Sequence, residues 1–130
     1  MGTESTPSLT VSLNGRPIFS SYGKWLHPLL ELESFLSNPP GDLEIDPGAL
    51  SVRDRIVGKA AALLILRLGI RRVHAETISY LGRSALEAAE AEVTFNRLVD
   101  RVLCATEELL IDVDDPEEAH RIILARIRNV

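Results

Sequence analysis

A chain of 130 residues, with 45% apolar and 25% charged residues, has the length of one ordinary domain and can bury a core without disulfide or metal staples. Its net charge of −5 disfavours nucleic acid and anionic membranes, which attract proteins through a concentrated positive field. The one cysteine, Cys104, excludes an intramolecular disulfide and suits a reducing compartment.

Aromatic residues are scarce at 5%, so the core falls to Leu, Ile, Val and Ala. Residues 1–7 read as a polar, disordered tail without the basic-then-apolar order of a secretory leader, which leaves 8–130 as a single domain. The most apolar run, Ala60 to Leu66, is far short of the roughly 20 residues that span a bilayer. A cytoplasmic location with no membrane and no nucleic-acid partner follows by elimination.

In chain order, Leu9, Val11 and Leu13 alternate with polar neighbours before Asn14-Gly15, and Arg16 to Ser21 returns, which predicts a β-hairpin. Pro17 cannot donate to a ladder and marks the second strand as an edge. Pro28 opens a helix to Ser37, with Leu29, Leu32 and Leu36 on its stripe, and Gly41 to Leu50 reads as a loop. Ser51 with Asp54 resembles a capping box and predicts a helix from Val52 to Leu68 that Gly69 ends.

Ile70 to Ile78 alternates as a strand, and Ser79 is placed to cap a helix from Tyr80 to about Ala91. Val93 and Phe95 mark a short strand. Asn96 then reads as the cap of a helix whose stripe is Leu98, Val102, Ala105 and Leu109. Asp115-Pro116-Glu117-Glu118 is a compact start signal for a last helix, Pro116 to about Arg128.

Three stretches resemble a small bacterial family, domain of unknown function 1893: Asp54-Arg55-Ile56-Val57-Gly58-Lys59-Ala60-Ala61-Ala62, Leu68-Gly69-Ile70 with Ile78-Ser79, and Ile111 to Ala119. Ser21, Lys24, Pro28 and Leu29 fall where the family tends to have Ser, a basic residue and Pro-Leu. The resemblance implies a cytidine-deaminase-like fold: a three-layer α-β-α arrangement around a mixed sheet that begins with the hairpin. The family pattern also has an Asn-Arg-Thr-Gly-x-Gly loop shortly before Cys-Pro-Met-Glu; Cys104 and Glu107 match that segment, and the glycine loop has no counterpart here.

His74-Ala75-Glu76 invites comparison with the His-x-Glu of zinc deaminases, but those enzymes also need Pro-Cys-x-x-Cys, and one cysteine cannot complete such a set. The resemblance also places His74 and Glu76 on a strand, whereas the deaminase motif opens the preceding helix, near Ser51 to Asp54. A surface-facing strand pair is the favoured reading, and no metal or cofactor is implied.

Gly58-Lys59 lacks the rest of a phosphate loop and falls inside the predicted helix, where Gly58 permits a close backbone approach. Lys59 is then either a solvated helix residue or a cation at a pocket rim. Cys104 adjoins apolar helix positions and reads as an inert buried thiol, since a nucleophile needs a base beside it. Tyr22, Trp25 and His27, with Ser20, Ser21 and Lys24, form the most polar-and-aromatic cluster of the chain, a binding lip or a plug over the core.

The expectation is a non-catalytic small-molecule-binding or regulatory module on a deaminase-like scaffold without zinc, its pocket drawn from Ser21, Lys24, Lys59, Ser79 and Glu107. Two alternatives stay open: a metal-independent enzyme using Cys104, and a homo-oligomeric interaction domain.

Overall fold

A computed structural model of the chain describes residues 6–41, 43–102 and 105–128. The hairpin forms as expected: β1 (Leu9–Leu13) pairs antiparallel with β2 (Arg16–Ser21) across Asn14 and Gly15, at φ 50° and 83°. That left-handed pair gives the turn a twist matching its strands. β2 is the edge of the sheet, and the register shifts between Val11 and Ser12, opposite Pro17, where the ladder lacks a donor.

Helix α1 (His27–Ser37) has Pro28 in its first turn, as read. A 3₁₀ turn at Pro47–Ala49 then leads into β3 (Leu50–Val57) and α2 (Lys59–Arg67). The helix expected over Val52 to Leu68 is therefore half strand, and Ser51 and Asp54 form no capping box. Leu50 and Val52 lie opposite Leu13 and Val11 on β1, and Val52 lies beside Val73 on the other side. A central strand with both edges paired outweighs a local capping signal.

β4 (Arg72–Ser79) and α3 (Tyr80–Ala88) follow the expected plan, with the Ser79 hydroxyl accepting from the Gly82 N–H at 3.0 Å. β5 (Glu92–Val99) is longer than expected: Asn96 lies within it rather than capping a helix, and pairing with β4 continues to Val99. The helix expected after Asn96 reduces to α4 (Ala105–Leu109). α5 (Pro116–Arg128) begins at the predicted signal, with the Glu118 N–H donating to Asp115 at 3.2 Å.

The sheet order is β2-β1-β3-β4-β5, with β1 antiparallel to both neighbours and β3, β4 and β5 parallel. The inward face carries Leu9, Val11, Val52, Val73 and Ala75, all buried. Residues of the alternate register, including Arg53, Glu76, Thr94 and Asn96, are exposed. Among the described residues the helices cover one face only, so the expected third layer on the far face is not formed.

α2 lies at the centre of the helical layer, with every residue from Ala60 to Leu66 no more than 7% exposed. Each buried Leu or Ile there contributes about 1.5–3 kcal/mol relative to exposure. Its last turn is clamped by Arg67, which pairs with Glu33 of α1 and, at 3.1 Å, with Glu117 of α5. Burial pushes the Glu33 carboxyl up, but Arg67 and His120, the latter at 3.2 Å, outweigh it and hold Glu33 below its usual range. No helix among the described residues is long and apolar enough to cross a membrane.

Candidate functional site

The clamp leaves the opposite end of the helical layer open. There, at the carboxyl ends of β3, β4 and β5 and beside the first turns of α1 and α2, lies a cavity of about 630 Å³. The carboxyl ends of parallel strands are where α/β sheets usually bind ligands.

The inner wall of the cavity is the β3–α2 junction. Gly58 caps α2 in an extended conformation, so it is not mid-helix as the sequence suggested. A Cβ there would meet Val102 Cγ2 at 2.6 Å and Glu107 Oε2 at 2.8 Å, and a Cβ on Gly82 of α3 would meet the Val57 carbonyl at 2.8 Å. The two glycines let three chain segments close on one carboxylate.

That carboxylate is Glu107, 2% exposed. It accepts from the Lys59 N–H at 2.6 Å, the Ser79 hydroxyl at 2.7 Å and the Val102 N–H at 3.2 Å. It thus supplies the negative charge that the first turn of α2 favours. The Lys59 ammonium is spent elsewhere, on the Ile111 carbonyl at 3.0 Å and Asp114 at 2.9 Å. Three of the five residues expected to form a pocket therefore do converge, as a braced junction whose hydrogen bonds go to protein groups.

Ser21 stands apart from the cavity lining. Its hydroxyl donates to Glu31 at 2.8 Å and accepts from the Gly23 N–H at 3.1 Å, while Ser8 Oγ donates to the Gly23 carbonyl at 2.7 Å. These bonds hold the loop that carries Lys24 and Trp25 to the cavity mouth. Trp25 is 44% exposed, has φ 60°, and meets His27 edge-on at 5.8 Å. A left-handed φ at a bulky residue costs about 1–2 kcal/mol and persists only where its surroundings impose it. Of the aromatic cluster, Trp25 lines the cavity; Tyr22 projects into solvent at 62% exposure.

The polar lining that sequence reasoning missed is Asp54 on β3, Arg55 beside it, Arg97 on β5, and Arg101. Asp54 lies between Leu9 and Ala75, both fully buried. Burial pushes its carboxyl up to about 7, against the pull of the Arg55 and Ile56 backbone N–H groups and the Arg55 charge. Arg101 pairs with Glu108 at 3.1 Å and Arg55 donates to the Thr6 carbonyl at 3.1 Å, whereas Lys24 and Arg97 have no ion-pair partner among the described residues. One clue was available: Asp54 interrupts an otherwise apolar inward register, Leu50, Val52, Ile56.

His74 and Glu76 do not line this cavity. The His74 ring shares a hydrogen bond with Thr94 at 2.8 Å, and Glu76 faces Arg53 at 3.9 Å, both on the open face of the sheet. Among the described residues no group of three or more His, Cys, Asp and Glu side chains is arranged to hold a metal ion. Cys104, and most of the tail read as residues 1–7, lie outside the described residues.

A family model for a domain of unknown function, DUF1893, matches residues 45–127. The crystal structure of a DUF1893 family protein from Thermotoga maritima superposes with a TM-score of 0.77 at 31% identity, covering 92% of this chain and 80% of that one. No curated protein matches the sequence. Matched over most of its length in sequence and in architecture, this chain belongs to the DUF1893 family, a domain of unknown function.

Proposed function

We propose that this chain binds a small anionic molecule in the cavity beside the first turns of α1 and α2. The observation that carries the reading is the pair of cations, Lys24 and Arg97, that line it without an ion-pair partner among the described residues of a chain whose net charge is −5. A guanidinium held beside an apolar-walled cavity is suited to carboxylate, sulfonate or phosphate groups.

The reading is binding rather than turnover, because Ser79, Lys59 and Glu107 spend their hydrogen bonds on the protein itself. The scaffold is read as deaminase-like without a zinc site, in a bacterial and cytoplasmic setting; the antiparallel hairpin beside three parallel strands supports the mixed-sheet part of that assignment. A regulatory module that senses a metabolite fits a cavity whose described lining holds no His or Cys. A second reading, acid–base catalysis, is favoured by Asp54, whose carboxyl titrates near neutrality inside the cavity.

Thermal unfolding in the presence of saturating phosphate, sulfate, sulfonates and small carboxylates tests the proposal. At least one anion class raises the midpoint saturably, and Arg97→Gln, with its basal midpoint unchanged, loses the rise. No shift with any anion overturns it.

A further inference from the structure

We infer that the anion taken by this cavity carries an aromatic ring, which lies against Trp25. The inference rests on the proposed anion site and names the chemistry of its ligand. A cavity of about 630 Å³ is far larger than a bare inorganic anion needs and falls in the range of small organic ligands. Its wall beside the cations is apolar: Trp25, Leu26, Ile56, Val99 and Val102. Ile56 is 53% exposed although it belongs to the register that elsewhere faces the core, so it too presents uncovered apolar surface at the mouth.

Trp25 is exposed yet held. The Ser8–Gly23 and Ser21–Glu31 bonds, the His27 N–H on the Lys24 carbonyl at 3.2 Å and the edge contact with His27 fix its loop. An ordered aromatic face loses little freedom when a ring packs on it, and planar partners gain from such contacts beyond the area they bury. Lys24 precedes Trp25 in the chain and Arg97 lines the same cavity, so a charged group and a ring on one small molecule find their counterparts together.

Trp25 is the one tryptophan of the chain, so its emission reports this site alone. The probes are benzenesulfonate, whose charge does not change with pH, methanesulfonate as the anion without a ring, and benzamide as the ring without a charge. Benzenesulfonate is expected to change Trp25 emission saturably and to bind at least tenfold more tightly than either control. Arg97→Gln loses at least tenfold of that affinity. Trp25→Gly, followed by thermal shift, loses the preference for benzenesulfonate over methanesulfonate, and Trp25→Phe keeps it; should the glycine variant fail to fold, Trp25→Asn, also tolerant of positive φ, replaces it.

Equal binding of the two sulfonates without an emission change overturns the aromatic assignment and leaves the anion site standing. Benzamide binding as tightly as benzenesulfonate overturns the coupling of ring and charge. Absence of binding by every anion removes the proposed site itself.

Discussion

The two walls of the cavity are built on opposite principles. At the β3–α2 junction each buried polar group is answered by another protein group: Glu107 takes three donors, Ser79 gives one hydrogen bond and takes one, and Lys59 reaches a carbonyl and a carboxylate. At the mouth, Lys24 and Arg97 have no counter-charge among the described residues, Asp54 is a carboxyl squeezed between buried apolar neighbours, and Trp25 is exposed in a costly backbone conformation. The first arrangement maximises stability, and the second gives some of it up. Sites that bind ligands commonly concentrate such locally costly features.

Substitutions should separate the walls cleanly. Removing the carboxylate by Glu107→Ala strands the Lys59 and Val102 N–H groups and the Ser79 hydroxyl in a buried place, which costs about 3 kcal/mol. Calorimetry should show a midpoint lower by roughly 10 °C; a variant as stable as the parent would mean the junction is not structural.

Asp54→Asn comes next and turns on pH. The folded carboxyl titrates near 7, above its unfolded value of 3.8, so the folded state keeps its proton longer. The stability this provides is present at low pH and is lost as pH rises through the window up to about 7. Denaturant unfolding should therefore find the asparagine variant gaining on the parent between about pH 5 and about pH 8, by about 1–3 kcal/mol. Protonating Asp54 also removes a negative charge from the cavity, so parental benzenesulfonate binding tightens as pH falls through 7, and the variant's binding does not. Parallel pH curves for the two proteins would reject this role for Asp54.

Trp25→Gly should change stability by less than about 1 kcal/mol, because relief of the left-handed φ offsets the lost ring contacts. A large loss on urea titration would make Trp25 a plug over the core. Smallest of all is Arg97→Gln, within about 0.5 kcal/mol of the parent in unfolding, as befits an exposed side chain without a partner among the described residues. The contrast sharpens if these two lose ligand and keep stability while Glu107→Ala does the reverse.

Much of the fold was legible wherever a local signal had only one sensible outcome. Asn14-Gly15, Pro28, Ser79 and Asp115-Pro116 each fix a turn or a helix start through φ preference or a side-chain cap, and all four appear where expected. β3 was not legible, and the reason is the site: Asp54 occupies an inward position, which hides the period-two pattern of Leu50, Val52 and Ile56. Ser51 and Asp54 then imitate a helix cap.

The candidate site divides in the same way. Ser79 was picked out as a helix cap, Lys59 beside Gly58 and Glu107 through its match to the family segment, and they do meet, but as scaffold rather than as an open ligand set. Arg97 and Arg101 were passed over because both fall within the helix expected after Asn96; that they line a cavity depends on the pairing that extends β5 along β4.

The sequence by itself thus determined the hairpin, the starts of α1, α3 and α5, the apolar character of α2 and the composition of the core, because these follow from interactions among residues a few positions apart. Only the tertiary structure decided the strand at 50–57, the parallel pairing that extends β5, the single-sided covering of the sheet and the meeting of Trp25, Asp54 and Arg97 around one space. Those depend on contacts between segments about 20 to 70 residues apart in sequence, whose energies no local pattern encodes.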